Sequence, residues 1–462
     1  MIGFGRSSRK RIPIGYEDFK LLIDGGFYYA DKTMLIYDLL HYGGQNNLIT
    51  RPRRFGKTLN FSMLKYFFDI TEKDNAYLFE GKEIMKHEDE IAPYRNAFPV
   101  ISISMKSARQ GSYSRALHSI CMDIREQFIK FSYVLDSDKL TETEKKDYRR
   151  ILECDNGDEL LFGTALKKLS MALSKYYGEN TAIFIDEYDM PLEAAYSGGF
   201  YAEMVEFIRS LFESALKTNP SLQFSVITGS LHILNESIFS AINNIEINSI
   251  RSTWYSEYFG FTENEIDDIL EYYKLGDKKA ALAEWYGGYR FGNKKLYNPW
   301  SILHQIKQWT IDNSKPPESH WKDMSYNTFI TGVLTSTNVD IQQPIHDLLE
   351  GKRISTKLFN SVSFIDEKID LAEIYTFMYY IGYVTIDDTS ENPDNNVYSI
   401  KIPNREIYGW YMEMIPQFGG GNNTDTPAQP KEEADVAKGN AHHESKKEKN
   451  ESDEEKYSMI LE

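Results

Sequence analysis

The sequence predicts an α/β protein built on a doubly wound parallel sheet, and three stretches carry that prediction. Asn47-Leu48-Ile49-Thr50 is a short apolar strand that runs through a sharp turn into Gly56-Lys57-Thr58, after which Leu59, Met63, Leu64 and Phe67 recur at helical spacing. Thr181-Ala182-Ile183-Phe184-Ile185 is a second apolar strand, and it delivers Asp186 and Glu187 at its carboxyl end. Gln223-Phe224-Ser225-Val226-Ile227-Thr228 is a third, reached from the second through a helix over about 202–217. Strands and helices that alternate in this order build a parallel sheet, and ligands of such sheets sit off the carboxyl ends of the strands.

The turn after the first strand has the chemistry of a phosphate-binding loop. Gly56 lets the backbone approach an oxyanion, Lys57 can reach β- and γ-phosphates, and Thr58 offers a hydroxyl to Mg²⁺. The first helical N–H groups point at the anion. Such loops usually open on a further glycine, and here that position is Arg51. A Gly-Lys-Thr tripeptide also occurs in basic surface turns; the strand before it and the amphipathic helix after it favour the loop. Arg51, Pro52, Arg53, Arg54, Phe55, Gly56, Lys57, Thr58 and Leu59 form the candidate nucleotide-binding stretch. Asp186 is expected to hold Mg²⁺ through water, together with Thr58, and Glu187 to polarise the attacking water as general base. The alternative for this acidic pair is a solvated turn. Thr228 would lie between the two anchors if its strand neighbours both, where its hydroxyl could orient the water or sense the γ-phosphate. A threonine satisfied in a strand-end turn is an equal alternative.

Upstream, a short helix ends at Gly25-Gly26, Phe27-Tyr28-Tyr29-Ala30 reads as extended, and Asp31 is a candidate N-cap for a helix over 32–41. Tyr29 is placed either to cover a purine base or to pack on the sheet edge. Between the anchors, 98–105 reads as a strand and 112–131 as a helix with Leu117, Ile120, Ile124 and Phe128 on one face. Residues 139–152 form a helix with Thr141 and Glu144 as a capping box, and 159–177 a single amphipathic helix. From Phe261 the pattern turns helical: Thr262 caps a helix over 263–273, and 280–286 forms another. Trp285-Tyr286-Gly287-Gly288-Tyr289-Arg290-Phe291-Gly292 reads as a tight interhelical turn, in preference to a lid in which Arg290 reaches the ligand. Asn298-Pro299 starts a further helix. Strands at 383–386 and 397–400 suggest a small α+β winged-helix-like module. After Phe418 polar and charged residues dominate, too few apolar groups remain to offset ordering entropy, and a disordered acidic tail is expected; His442-His443 within it reads as incidental. The expected plan is a covering segment (1–45), a core (46–260), a helical lid (261–327), the winged-helix-like module (328–415) and the tail (416–462).

Composition narrows the function. A formal charge of −17 opposes generic binding to nucleic acid or anionic membranes, although Arg51, Arg53 and Arg54 make a local basic spot. The two cysteines, Cys121 and Cys154, supply neither a disulfide framework nor metal-ligand spacing. No apolar run approaches the ~20 residues that span a bilayer, and the cations of 1–11 are not followed by a signal-like segment. A reducing, cytoplasmic setting is the expectation.

With both anchors on the page, the chain resembles the AAA-ATPase-like family, P-loop NTPases near the archaeal and signal-transduction ATPases. The resemblance runs through Pro13-Ile14-Gly15 with Asp18-Phe19, Tyr28-Tyr29-Ala30-Asp31-Lys32-Thr33, Ile49 to Asn60, and Phe184-Ile185-Asp186-Glu187-Tyr188-Asp189. It continues in Ser237-Ile238-Phe239, Tyr258-Phe259-Gly260-Phe261-Thr262-Glu263, Trp285-Tyr286-Gly287-Gly288-Tyr289 and Tyr297-Asn298-Pro299-Trp300-Ser301. The family carries Arg at the Arg51 position. The resemblance implies ATP as ligand with Mg²⁺, and Lys57, Thr58 and Asp186 in the roles above. Two departures stand out. The family usually has Arg and then Lys after Thr228-Gly229, where this chain has His232 and Asn235. Many members continue into a nuclease-like domain of the PD-(D/E)XK class, where this chain has the acidic tail, so nuclease activity is not carried over. The expectation is Mg-ATP binding with slow hydrolysis that acts as a conformational switch toward a protein partner. A non-hydrolysing nucleotide-binding scaffold is the alternative, and DNA binding through the carboxyl-terminal module a distant third. Oligomeric state is not indicated by the sequence.

Overall fold

Five strands set the frame on which the loop sits: β1 (Asn46–Thr50), β2 (Val100–Ser104), β3 (Thr181–Asp186), β4 (Leu222–Gly229) and β5 (Ile245–Asn248). The structure is a computed structural model, and it describes residues 9–154, 157–233, 238–239, 242, 244–321, 339, 341–362, 370–387 and 396–418. The strands lie in the order β2-β3-β4-β1-β5, and every neighbouring pair is parallel. All residues of β1 and β3 are buried, as expected of apolar strands covered on both faces. β1 and β3 do not touch. β4 lies between them, with Thr228 opposite Ile49 on one side and Ile227 opposite Ile185 on the other. The carboxyl ends of the three strands therefore stand side by side.

Helices α1 (Phe19–Asp24), α2 (Met34–Tyr42), α3 (Lys57–Phe68), α4 (Tyr113–Lys130), α5 (Glu142–Glu153), α6 (Ala165–Tyr177), α7 (Met190–Gly198) and α8 (Tyr201–Phe212) accompany this sheet. α3 buries Phe61, Met63, Leu64, Phe67 and Phe68, and Phe61 and Phe68 meet Phe184 of β3 at ring distances of 5.7 and 6.3 Å. That packing fixes the helix that begins at Lys57 over the strand that ends at Asp186. α4 buries the face read from its spacing, and the Thr141–Glu144 capping box forms at the start of α5.

Local expectations fail in three places, each for a tertiary reason. The helix read over 159–177 is two helices, Glu159–Phe162 and α6. Thr164 leaves the helical region at φ −114°, and Gly163 sits so close to α8 that an added Cβ would lie 2.9 Å from Ser210 Oγ. Asp31 does not cap α2 directly. Its Oδ1 accepts from Thr33 N and Oγ1 and its Oδ2 from Glu83 N, so the helix begins only at Met34. The aromatic-glycine stretch is no interhelical turn: it opens the hairpin β6 (Tyr289–Phe291) and β7 (Lys294–Leu296). Gly288, at φ +83°, passes Pro403 O so closely that an added Cβ would sit 2.0 Å from it, and Arg290 Nε donates to Gly292 O within the hairpin at 3.3 Å.

Beyond the sheet come α9 (Glu263–Tyr273), α10 (Lys279–Tyr286), α11 (Pro299–Ile311), α12 (Gln342–Leu349), α13 (Leu371–Tyr380) and α14 (Arg405–Phe418). Phe261, Ile266, Ile269, Leu282, Tyr286 and Ile302 form an apolar cluster of their own, whereas Phe377, Tyr380 and Trp410 join the core of the sheet. The two strands expected late in the chain are β9 (Thr385–Ile386) and β10 (Val397–Lys401). They pair antiparallel, and β8 (Ile354–Lys357) lies on the other side of β10. The expected tail past Phe418, together with Asn235 and Ser237, lies outside the described residues.

Candidate functional site

Glycine is needed at residue 56 for its backbone. Gly56 takes φ +86° as the cap of α3, yet nothing lies within 4 Å of where a Cβ would be. The left-handed conformation, rather than space, is what excludes other residues. The loop it closes folds back on Lys57. The buried ammonium donates to Arg51 O at 2.9 Å, Pro52 O at 3.1 Å and Ser230 Oγ at 3.4 Å. Burial pushes its pKa down, and the negative charges of Asp189, Glu187 and Asp186 oppose that shift. A lysine that must give up water but keeps three acceptors and three nearby carboxylates is poised to meet an anion.

Across the loop, Asp186 accepts a hydrogen bond from the Thr228 hydroxyl, and the Thr58 hydroxyl lies near enough to lower its pKa. Burial raises its pKa, while those two hydroxyls and Lys57 hold it down. Glu187 follows in the left-handed region at φ +53°, a conformation that costs a non-glycine residue energy and clusters at functional sites. Its Oε2 is buried without a hydrogen-bond partner among the described residues, and burial and then Asp186 push its pKa up. A buried, unpartnered carboxylate oxygen beside an ammonium and a hydroxyl-held aspartate is what a water or metal-bound ligand would complete. Mg²⁺ commonly takes one or two carboxylates and finishes its shell with water and phosphate oxygens, and Asp186 with Thr58 fits that donor set. Among the described residues no group of three or more His, Cys, Asp or Glu could hold a metal unaided.

Several residues of the candidate stretch turn out to serve the packing. Arg51 leaves the loop altogether: Nη1 donates to Thr50 O and Asn248 O at 2.8 and 2.7 Å, and Nη2 to Trp254 O at 3.2 Å. It is fully buried over the rings of Phe259 and Phe291, and burial pushes it down to about 9. Its side chain is a strut, and only its carbonyl faces Lys57. Phe55 is buried against Tyr289 and Phe291 at 5.0 and 4.9 Å, and Leu59 packs half-buried on the core. Arg54, at φ +68°, reaches His320 O at 2.9 Å and lies over the ring of Trp300. Tyr29 has the contacts of the packing alternative: its hydroxyl donates to Met63 Sδ at 3.4 Å and its ring meets Phe19 at 5.4 Å.

Sequence reasoning missed Asp189 and Ser230. Asp189 Oδ2 accepts from Ser230 N at 2.7 Å and Leu231 N at 2.9 Å, while the Tyr188 hydroxyl donates to Leu231 O at 2.7 Å. These bonds tie the end of β4 to the start of α7 and present Ser230 to Lys57. The available signal was the third acid of Asp186-Glu187-Tyr188-Asp189, set two residues before a proline in the first turn of a helix. His232 faces elsewhere, with Nδ1 2.8 Å from Asn360 O, and burial lowers its pKa.

Residues 13–239, from before α1 to just past β4, match the family model AAA-ATPase-like, described as Predicted AAA-ATPase. Over this segment, just under half of the chain, the sequence is similar to the AAA-ATPase-like family. The AAA-ATPase-like segment takes in the loop, Asp186, Glu187, Thr228 and Asp189, and it ends before the hairpin at Tyr289. A protein of Azotobacter chroococcum mcd 1, described as an uncharacterized protein in the vnfD 5′ region, is 24% identical over 417 residues, which cover 88% of this chain and 70% of that protein. That similarity therefore extends well past the AAA-ATPase-like segment. No described helix is long and apolar enough to cross a membrane.

Proposed function

We propose that the chain binds ATP with Mg²⁺ at the ends of β1, β4 and β3, hydrolyses it slowly, and uses the bound nucleotide as a switch toward a protein partner in the cytoplasm. The observation that carries this reading is the Asp186 carboxylate bonded by the Thr228 hydroxyl and influenced by the nearby Thr58 hydroxyl, with the Lys57 ammonium folded over the adjoining loop. Lys57 exchanges its carbonyl acceptors for β- and γ-phosphate oxygens. Thr58 and Asp186 would hold Mg²⁺, which would supply positive charge to the phosphate oxygens. Glu187, raised by burial, is the general base for the attacking water, and Thr228 orients its side of the site. The helices of 261–327 act as a lid and 328–415 as a winged-helix-like module whose packing responds to the nucleotide. Calorimetry with Mg-ATP, paired with steady-state turnover of the wild type and of Glu187→Gln, tests this. Micromolar binding with turnover abolished in the variant is expected; absence of binding by the wild type rejects the reading.

A second reading, a non-hydrolysing scaffold that retains nucleotide, is favoured by His232. Its ring is neutral through burial and engaged with Asn360 O, so it supplies no charge to a transferring phosphoryl group. Binding without turnover in the wild type selects this alternative.

A further inference from the structure

Arg51, Arg53 and Arg54 enter the loop together, and the fold sends them three ways. Arg51 is spent on carbonyls of the β1–β5 edge. Arg54 is spent on His320 O and the Trp300 face. Arg53 instead turns toward α7, where its Nη2 lies 2.8 Å from Glu193 Oε2 and against Met190 Sδ. Glu193 is almost completely buried, whereas Arg53 keeps about a fifth of its side chain, 19%, in contact with solvent. α7 starts immediately after Asp189, the residue that fixes Ser230 against Lys57. Arg53 is therefore anchored on the same side of the loop as the Lys57 ammonium, and its charge adds slightly to a lowering of that ammonium that burial dominates.

Two cations that repel across a phosphate-binding loop gain from an anion placed between them. A guanidinium carries N–H donors on more than one edge, so one edge can stay on a carboxylate while another meets a phosphate. Leaving a buried glutamate unpaired is costly, and a bridging guanidinium avoids that cost. The position of Glu193 in the first turn of α7 adds the helix N-terminus to its support.

We infer that Arg53, positioned by Glu193, is the residue with which this chain recognises the terminal phosphate of a nucleoside triphosphate and so distinguishes it from the diphosphate. The inference rests on the nucleotide reading above and deepens it. Lys57 spans the β- and γ-phosphates and so keeps a partner in the diphosphate; Arg53 serves only the phosphate that hydrolysis removes. Glu193 acts through Arg53 as a positioning residue.

Calorimetric titration of the full chain with Mg²⁺ and either a non-hydrolysable ATP analogue or ADP tests it, on wild type, Arg53→Gln, Arg53→Lys and Glu193→Gln. Charged hydrogen bonds of this kind are worth about a 10- to 100-fold change in affinity. Arg53→Gln should weaken the triphosphate analogue by that factor and leave ADP within about threefold. Arg53→Lys should recover part of the loss, because it keeps the charge without the fork. Glu193→Gln should narrow the preference with Arg53 still present. Far-UV circular dichroism and a thermal melt on each variant establish that it is folded, and a variant that melts early is replaced in the comparison by Arg53→Lys. An unchanged ratio of triphosphate to diphosphate affinity in folded Arg53→Gln and Arg53→Lys overturns the inference and leaves the nucleotide reading standing. Failure of the wild type to bind either nucleotide overturns both.

Discussion

The loop around Lys57 and the side-chain cluster around Glu406 both bury titratable side chains, and they manage the cost of burial in opposite ways. At the loop an ammonium and carboxylates of opposite sign face one another, so burial pushes Lys57 down and Asp186 up while each charge restrains the other. At the second place burial outweighs the hydrogen bonds and the Arg54 charge that oppose it at Glu406. Glu406 is fully buried, accepts from His320 N at 2.6 Å and Ser301 Oγ at 2.8 Å, and is pushed up to about 7. His320, near His304 at a ring distance of 5.2 Å, is pushed down to about 4. One cluster keeps charges that a ligand can use. The other keeps neutral groups that only hydrogen-bond, which is a way to hold α11 and α14 together. Arg54 joins the two, since it leaves the loop and ends on His320 O.

Mutations can break this contrast. The largest effect is expected at Arg51, which belongs to the packing although it stands in the loop. Arg51→Ala strips the donor from the carbonyls of Thr50, Asn248 and Trp254 and opens a cavity, so urea denaturation should show a loss of about 3–5 kcal/mol. Lys57→Ala should do the reverse. Its melting curve should fall by less than that of Arg51→Ala, because the desolvation cost of the buried ammonium goes together with its hydrogen bonds to Arg51 O and Pro52 O, while calorimetric affinity for Mg-ATP falls about 1,000-fold, on the order of 4 kcal/mol.

Glu406→Gln sharpens the pH side of the comparison. A carboxyl at about 7 in the folded chain, against 4.5 ordinarily, favours folding fully below pH 4.5 and loses that contribution as pH rises through 7. The loss is on the order of 3 kcal/mol at 1.36 kcal/mol per unit. His320 has the opposite sign: its contribution is full above 6.5 and lost as pH falls through about 4. The two slopes oppose each other between about pH 4.5 and 6.5. Chemical denaturation of Glu406→Gln should therefore show stability that rises with pH across that window more steeply than in the wild type; parallel curves would remove Glu406 from the account. The smallest effect, about 1 kcal/mol, is expected for Thr141→Ala, which deletes one capping box far from both clusters and serves as a control for nucleotide affinity.

Much of the architecture was legible in the sequence because it depends on local patterns. Apolar runs ending in Thr50, Asp186 and Thr228 locate the strands, and Thr141-x-x-Glu144 and Thr262-x-x-Glu265 mark helix starts that form as written. What local pattern could not express was contact at a distance. Gly163 breaks a helix because Ser210 approaches it, and Asp31 is diverted from α2 because Glu83 N competes for it. Phe55 is loop by sequence and core by position, since its partners Tyr289 and Phe291 lie more than two hundred residues away. Tyr29 met Phe19 and Met63 for the same reason.

The sequence by itself determined the α/β class and the residue types at the loop, because hydrophobic period, glycine conformation and the chemistry of Lys, Thr and Asp are properties of short segments. Only the tertiary structure decided that β4 lies between β1 and β3, so that the Thr228 hydroxyl meets Asp186. It alone also parted three neighbouring arginines into a strut, a link to His320 and a partner for Glu193. Adjacent residues share a local sequence but not a destination, and the destination of a long charged side chain is set by whichever acceptor the fold brings within reach.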